Sequence, residues 1–348
     1  MKKILIINKI NSSNLGDQAI GQSMKALAQR CNCLADCVDL TNASAQNIKA
    51  GEFSYATKCG RQHMKNAKML KYYLKRKNTV INDTVKQNLN SYSAVFIGGG
   101  ELIQDNNIFP VAIYIWINYI RKNNPNIPIY LFGVGVTSKF NRTTKYILKR
   151  SLSYVSGIYV RDINSYKNLK NIYGIGSCVI PDVVFSSNHV QCQSKSNLAL
   201  LGITTPHRLK YYGYCSSVND YFEKVRKTIE ELKAEYDNVE LIYSDNGDYT
   251  TALEFRNWLD KNYSMSIDIA EYRDLDGMIA LIEKAKLVQS PRMHACILGL
   301  LSSSQVEVVE VSPKIKTFKE IYLEKCVTLE ELNFGVEDAF LKIIDCLT

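Results

Sequence analysis

The sequence lacks several features that would assign it to a specialised class of protein. No apolar run is long enough to cross a bilayer, since the longest apolar-rich stretch, residues 109–120, is interrupted by Asn118. The short apolar run at the start gives way at once to polar residues, so no signal peptide is predicted. Low-complexity tracts and internal repeats are missing as well, which excludes disorder as the general state of the chain.

Motifs for metals and common cofactors are missing too. The ten cysteines are scattered without CxxC spacing, which argues against zinc and redox motifs and favours buried, reduced thiols. With no export signal, reduced thiols predict a cytoplasmic protein. The four histidines show no clustered spacing with acidic residues, so no metal site is predicted. The turn after the first predicted strand is not GxGxxG, so no nicotinamide cofactor is expected.

Length, composition and charge indicate an ordinary globular protein with an anionic partner. Of the 348 residues, 46% are hydrophobic and 22% are charged, which is typical of domains with a buried core. This length exceeds the size at which a single core usually stops growing, so two domains are predicted. The formal net charge of +9 favours phosphorylated substrates, anionic lipid or nucleic acid as partners, without choosing among them.

Apolar runs bounded by turn residues alternate with helical periodicity along the chain. This pattern predicts an α/β protein with two Rossmann-like domains facing a central cleft, a GT-B-like arrangement. The predicted domains are residues 1–186, on the acceptor side, and 197–335, on the donor side, with a polar linker near 185–197. A last helical segment, 336–348, is interpreted as packing back on the first domain. The predicted strands are residues 3–8, 35–40, 94–97, 127–132, 157–160 and 177–180, then 199–204, 239–243, 266–269, 287–289 and 306–311.

Loops that follow strands are the candidate site, because ligands of open α/β sheets bind beyond the carboxyl ends of the strands. After the first strand, Asn14 and Gly16 suit a turn and Asp17 suits the start of a helix. The free N–H groups of such a helix can bind an anion. Helix capping by Asp17 explains the same residues equally well.

A second loop of this kind follows the predicted strand at residues 94–97. Three successive glycines, among them Gly99 and Gly100, precede Glu101. Glycines let a ligand approach the backbone closely, so a binding loop is predicted there. Glu101 is a candidate hydrogen-bond partner or base for a sugar hydroxyl.

Two arginines and a histidine follow other strands. Arg161 directly follows the strand at residues 157–160, where a guanidinium can pair with a carboxylate or phosphate. In the second half, Arg292 and His294 precede a predicted helix and would present a fixed cation and a titratable imidazole to one cleft. A structural role is the alternative for the histidine.

Together these segments resemble the polysaccharide pyruvyltransferase family. The family often has Asn in the loop where this chain has Glu101. The matching motifs span roughly residues 4–316 and are, in order, Asn14-x-Gly16-Asp17, Gly98-Gly99-Gly100-Glu101, Gly133-x-Gly135, Arg161-Asp162-x-x-Ser165, Pro181-Asp182, Arg292-x-His294-Ala295 and Lys316.

The resemblance implies transfer of a pyruvyl ketal from phosphoenolpyruvate to two hydroxyls of one sugar, on a two-domain fold like that of many glycosyltransferases. Phosphoenolpyruvate is the co-substrate, and no other cofactor is expected. A histidine suits the proton transfers near neutral pH that a ketal requires. The roles this assigns are catalysis for His294, donor binding for Arg161, Arg292 and Lys316, and acceptor or loop contacts for Asn14, Asp17, Gly99, Gly100 and Glu101.

Residues 61–77 contain seven basic residues and a narrow apolar face of Ala67, Leu70 and Leu74. One interpretation is a basic amphipathic helix that rests on anionic lipid, where it would meet a lipid-linked saccharide at the inner membrane face. The other is a solvated surface helix. Nucleic-acid binding is not predicted, because no known module accompanies the charge.

Two rival functions remain open. The first is a glycosyltransferase of the same architecture that uses a nucleotide-sugar donor, with Arg292 on the diphosphate and Glu101 or His294 as base. The second is a protein that binds phosphorylated sugars or assembles a glycan-synthesis complex without catalysis. Fold alone does not separate these functions, since one architecture hosts many chemistries.

Overall fold

The computed structural model describes residues 1–44, 62–187, 194–325 and 327–347. The strands are β1 (Lys2–Asn8), β2 (Cys33–Asp39), β3 (Ala94–Ile103), β4 (Ile129–Val136), β5 (Gly157–Val160), β6 (Cys178–Val179), β7 (Ser196–Gly202), β8 (Asn238–Ile242), β9 (Asp268–Ile269), β10 (Ala285–Ser290) and β11 (Gln305–Val308). The α-helices are α1 (Leu15–Arg30), α2 (Gln62–Arg76), α3 (Asp83–Asn88), α4 (Phe109–Asn123), α5 (Arg142–Leu152), α6 (Ile163–Tyr173), α7 (Pro206–Tyr211), α8 (Val218–Glu235), α9 (Asn246–Tyr263), α10 (Leu275–Lys284), α11 (Met293–Leu301), α12 (Pro313–Phe318) and α13 (Leu329–Asp345).

The strands form two parallel sheets. The first has the order β2-β1-β3-β4-β5-β6 and the second the order β11-β10-β7-β8-β9, and all recorded pairings are parallel. The predicted α/β fold is confirmed. The predicted linker at residues 185–197 includes residues 188–193, which lie outside the described residues, and the division into domains stays a prediction.

Two strands run further than the sequence predicts. β3 continues through its three glycines to Ile103, and β4 continues past Gly133 to Val136. The two strands remain paired over this stretch, with a shift in register between Gly100 and Ile103. Residues 98–101 are therefore part of a strand, because backbone groups that a free loop would leave open are paired across the sheet.

Apolar packing joins the two sheets. Strand β1 is buried from Ile4 to Asn8, as expected for a parallel strand covered on both faces. One continuous core cluster contains Ile6 and Leu27 from the first sheet and its helix α1, together with Val288 and Ile297 from the second. The two halves are therefore held by buried apolar contacts as well as by the chain between them.

The last helix lies against the first sheet. Phe340 contacts Phe96 with ring centroids 4.8 Å apart, and Lys2 Nζ donates to the Ile344 carbonyl at 2.7 Å. Helix α13 begins at Leu329 rather than at the predicted residue 336, because Thr328 caps it with a capping box. Across the described ranges, no helix has both the length and the apolar character required to cross a bilayer.

Candidate active site

The order of the strands reverses between β1 and β3 in the first sheet and between β7 and β10 in the second. Loops that leave such neighbouring strands run to opposite faces of the sheet and open a crevice between them. Both crevices contribute to one cavity of about 540 Å³. Its lining includes Asn14, Asp17 and Gly100 from the first half and Ser244, Arg292 and His294 from the second.

The turn after β1 is organised by Asn14. Its side-chain oxygen accepts hydrogen bonds from the backbone N–H groups of Gly16, at 2.9 Å, and Asp17, at 3.3 Å. The N–H of Leu15, the residue directly after Asn14, donates to the Ser244 carbonyl of the other half at 2.8 Å. Asn14, and not Asp17, therefore caps helix α1, which leaves the Asp17 carboxylate on the cavity wall.

Gly16 makes room for His294. A Cβ atom at this position would lie 2.2 Å from His294 Nδ1 and 2.9 Å from its Cγ. These distances are shorter than any non-bonded contact, so the imidazole reaches its place only because residue 16 has no side chain. The glycine of the Asn14-x-Gly16-Asp17 motif thus positions the predicted catalytic histidine.

Asp182 joins His294 to Arg161. Its Oδ2 lies 3.6 Å from His294 Nε2 and 3.5 Å from Arg161 Nη1, while its Oδ1 accepts from the Val184 N–H at 3.1 Å. Burial raises the pKa of Asp182, but His294, Arg161 and the Val184 N–H outweigh that effect and hold the pKa well below its ordinary value. Asp182, which lies between the two predicted functional side chains, is therefore biased toward its charged form.

Arg161 is buried but incompletely paired. Only 3% of the residue is exposed, and its Nε, 3.7 Å from Asp162, has no hydrogen-bond partner among the described residues. Gly135 leaves the space for the guanidinium, since a Cβ there would lie 2.8 Å from Nη2. Arg161 also lines the cavity, and its role in donor binding stays a prediction.

Lys314 is a second cation in this region. Burial lowers its pKa to about 8, and Arg161 contributes in the same direction, whereas Glu101, Asp182 and Asp17 oppose the shift. Burial also raises the pKa of Asp17, although His294 and the Ser12 hydroxyl act against it. The cavity thus contains a lysine and an aspartate that are both biased toward their neutral forms.

Arg292 is held by two carboxylates of the second half. Its Nε donates to Asp248 Oδ2 at 2.8 Å, and its Nη2 donates to Asp245 Oδ2 at 2.9 Å and to Asp248 Oδ1. Burial lowers the pKa of Arg292, but Asp248 and Asp245 raise it more, so the guanidinium stays charged. Arg161 also has two carboxylates within 4 Å, but its Nε has no hydrogen-bond partner among the described residues. Arg292 lines the cavity, and its role in donor binding stays a prediction.

The remaining predicted site residues differ in position: some line the cavity, and others pack against neighbouring elements or face solvent. A Cβ at Gly99 would lie 1.8 Å from Ile20 Cγ2, so this glycine, with φ of 75°, lets β3 approach helix α1. Gly100 and Glu101 line the cavity. Lys316 is exposed and lines neither this cavity nor the larger one described next, because it lies on the outer side of α12, two residues beyond Lys314.

A larger cavity, about 720 Å³, adjoins the first. The two share Glu101, Gln104, Arg161, Tyr211, Tyr212, Met293 and Lys314 as a common wall. The rest of the larger cavity is mixed, with polar residues such as Thr137, Ser138 and Asn164 beside apolar ones such as Val136 and Phe318. The cleft therefore has two chambers that meet at Arg161 and Lys314.

Of the residues the structure describes, no three His, Cys, Asp or Glu side chains are placed to hold a metal ion.

The motifs of this cleft correspond to a known family. A family model described as polysaccharide pyruvyl transferase matches residues 14–303. The chain belongs to this family. The resemblance drawn from the motifs is confirmed, and the match contains Asn14, Arg161, Arg292 and His294 but ends before Lys314. No curated protein matches the sequence.

Solved structures with a similar fold are enzymes of nucleotide sugars. A putative UDP-N-acetylglucosamine 2-epimerase from Listeria monocytogenes has a TM-score of 0.51 and 11% identity over 99% of this chain and 96% of that chain. The UDP-GlcNAc 2-epimerase from Methanocaldococcus jannaschii has a TM-score of 0.50 and 13% identity over 99% of each chain. That from Neisseria meningitidis, bound to UDP-GlcNAc, has a TM-score of 0.50 and 12% identity over 99% and 92%. At these identities the likeness shows the fold alone, and the predicted GT-B-like fold is confirmed.

Two residues of the site were not among the predicted site residues. Asp182 lies just after β6 and Lys314 lies at the start of α12, after β11. Both follow strands, as the residues that were selected do. That position was a signal for both, and Asp182 also belongs to the matching Pro181-Asp182 motif, but neither signal shows which side chain turns into the cleft.

Proposed function

We propose that the protein transfers a pyruvyl group from phosphoenolpyruvate to two hydroxyls of one sugar in a surface polysaccharide precursor, such as that of a capsule or exopolysaccharide. Membership of the family supports transfer to a polysaccharide. The observation that carries the choice of donor is the incompletely paired, buried Arg161 beside Lys314. No cofactor other than the co-substrate is part of the proposal.

The donor's two anionic groups match the cations and helix ends of the cleft. Arg161 and Lys314 can pair with the carboxylate and phosphate of phosphoenolpyruvate. Helix α11 begins without a side-chain cap, unlike α1, which Asn14 caps. The first N–H groups of α11, next to His294, are therefore available to an anion.

His294 is the proposed proton donor. Asp182 Oδ2 lies 3.6 Å from its Nε2 and can orient the ring, and His294 lines the smaller chamber. Protonation of the donor's methylene carbon makes the adjacent carbon electrophilic. One sugar hydroxyl adds there, phosphate leaves, and the second hydroxyl adds to close the ketal.

The protons of this reaction balance without a further reactant. The methylene carbon gains one proton and the two hydroxyls lose one each, so one net proton leaves with phosphate. Asp17, on the wall of the smaller chamber, is the proposed acceptor of a hydroxyl proton, and the burial that raises its pKa makes its carboxylate a stronger base.

The larger chamber is the proposed acceptor site. Its hydroxyl and amide side chains suit a sugar, and Thr137 Oγ1 is buried without a hydrogen-bond partner among the described residues. Tyr211 and Tyr212 line both the larger chamber and the smaller one. We further propose that the acceptor is a lipid-linked saccharide, reached from the cytoplasmic side at the inner membrane face.

The test is ligand-dependent thermal stability, measured for phosphoenolpyruvate and for a panel of nucleotide sugars. A ligand at one hundred times its Kd stabilises a protein by about 2.7 kcal/mol, which is a readily measured rise in Tm. Lys314→Gln is expected to weaken the effect of phosphoenolpyruvate about tenfold or more in Kd. Lys316→Gln, two residues away and exposed, is the matched control and is expected to behave like the wild type.

The outcome separates this proposal from its main rival. Stabilisation by a nucleotide sugar and none by phosphoenolpyruvate would support a glycosyltransferase, which the shared architecture also permits. Stabilisation by phosphoenolpyruvate that Lys316→Gln removes and Lys314→Gln leaves intact would contradict the placement of the donor. Turnover of phosphoenolpyruvate to phosphate in the presence of acceptor would exclude a protein that only binds ligands.

A further inference from the structure

Helix α2 turns the apolar stripe of its sequence toward solvent. Among the α2 side chains that the structure describes, Met69 is buried. Tyr73 contacts Tyr114 of α4 with ring centroids 6.3 Å apart. Leu70 and Leu74, by contrast, are 58% and 57% exposed. The helix is therefore anchored by one face, and no described residue covers the leucine stripe on another face. Arg61 and the side chains of residues 62–65 lie outside the described part.

Basic residues lie beside this stripe on α2 and continue on helix α5. Neither helix contains an acidic residue, and α5 also exposes Tyr146, which is 65% accessible. We call the exposed cations of this region the basic face. Its members are Lys68, Lys71, Lys75 and Lys77 in and after α2, and Arg142, Lys145, Lys149 and Arg150 in α5.

The two helices are neighbours. Thr144 Oγ1 of α5 lies 3.8 Å from Met69 Sδ of α2, and both helices pack on α4. The same Thr144 oxygen lies 2.7 Å from Asp105 Oδ1, and Asn141, the cap of α5, donates to Asp105 Oδ1 at 2.6 Å. Asp105 lines the larger chamber. The basic face therefore begins next to the proposed acceptor site.

We propose that the basic face is a docking site for an anionic lipid bilayer, into which Leu70 and Leu74 insert. A bilayer presents negative head groups at its surface and hydrocarbon beneath them, so it matches lysines that flank leucines. The long lysine side chains can reach the head groups while the leucines lie deeper. Nucleic acid offers the charge without the hydrocarbon and leaves the leucines unexplained.

The test is sedimentation of the full-length protein with vesicles of phosphatidylcholine alone or mixed with phosphatidylglycerol. The wild type is expected to pellet only with the anionic vesicles, and less as salt rises. Leu70→Ser with Leu74→Ser is expected to weaken binding about tenfold or more. Lys71→Gln with Lys75→Gln is expected to weaken it about 25-fold, since each basic residue at an anionic surface contributes about fivefold.

Matched controls keep the result specific. Phe334→Ser changes an apolar side chain that is 69% exposed on α13, and Lys227→Gln with Lys261→Gln removes two exposed charges of the second half. These variants are expected to bind like the wild type, and circular dichroism melts verify that every variant folds.

Three results would overturn the proposal. The first is no pelleting of the wild type with anionic vesicles, or equal pelleting with neutral ones. The second is unchanged binding of the leucine double variant. The third is found by sedimentation velocity without vesicles: the wild type forms an oligomer and the leucine double variant does not. In that case the basic face would bind a second copy of the chain. Vesicle binding requires neither donor nor acceptor, so its failure is separate from failure of the proposed reaction.

Discussion

Replacement of Gly16 by alanine tests the candidate site through one added methyl group. The backbone at Gly16 is not in the left-handed region, so an alanine is not strained there, but its Cβ would lie 2.2 Å from His294 Nδ1. Ordinary contacts between heavy atoms are about 3.5 Å or longer. The imidazole must therefore move by roughly 1 Å, because the methyl group is attached to the backbone of a helix.

The expected effects on stability and on activity differ in size. Exchange of glycine for alanine in the middle of a helix stabilises it by roughly 0.5–1 kcal/mol. Gly16 is the second residue of α1, so a smaller gain offsets part of the cost of moving the ring, and the fold is expected to persist. A displacement of about 1 Å at a reacting group can lower the rate about 100-fold. That corresponds to about 2.7 kcal/mol in the activation free energy.

The assay is phosphate release from phosphoenolpyruvate in the presence of acceptor, with a chemical denaturation curve for each protein. Gly176→Ala is the matched control, since a Cβ there meets nothing within 4 Å, and it is expected to retain the wild-type rate. With only four histidines in the chain, the imidazole nitrogen signals of His294 can be followed by NMR. Wild-type turnover by Gly16→Ala with unshifted signals would refute both the confinement of His294 and its proposed role.

Other predictions concern catalysis, pH and stability. His294→Gln is expected to lower kcat about 100-fold or more while leaving stabilisation by phosphoenolpyruvate intact, and a near-normal kcat would contradict its role. Since burial lowers the pKa of Lys314 to about 8, its positive charge is present below that pH and lost above it. Thus KM for the donor should rise above pH 8, and Lys314→Arg should shift that rise to higher pH; identical profiles would count against the donor site. Asp248→Asn is expected to lower the free energy of unfolding by about 3 kcal/mol, because Arg292, with a side chain only 16% exposed, loses the charge of its fully buried partner. Urea denaturation should show a smaller loss for the more exposed Asp245→Asn, and equal losses would argue against this pairing.

The fold was predicted from the local pattern of apolar and turn residues along the chain. Apolar runs between turn residues located the strands to within a few residues, since a parallel strand covered on both faces must be apolar along its length. The strand ends then pointed to Arg161 and His294, which the structure places on either side of Asp182. The triple glycine shows the limit of this approach, because its residues are equally consistent with an open loop and with a strand that approaches helix α1.

Side-chain direction required the tertiary structure. Lys314 and Lys316 are two positions apart on one short helix, so they point about 200° apart around its axis, and only packing shows which one enters the cleft. The pairing of Arg292 with Asp248 joins residues that are 44 positions apart, and no local pattern specifies such a contact.

The sequence by itself determined the strands, the loops that follow them and the family, because these depend on periodicity and on short motifs within the chain. Only the tertiary structure decided how the donors of each arginine are paired, why Gly16 must lack a side chain and which leucines of α2 no described residue covers. Those properties arise from contacts between segments that are distant in the chain and meet only when the two sheets pack together.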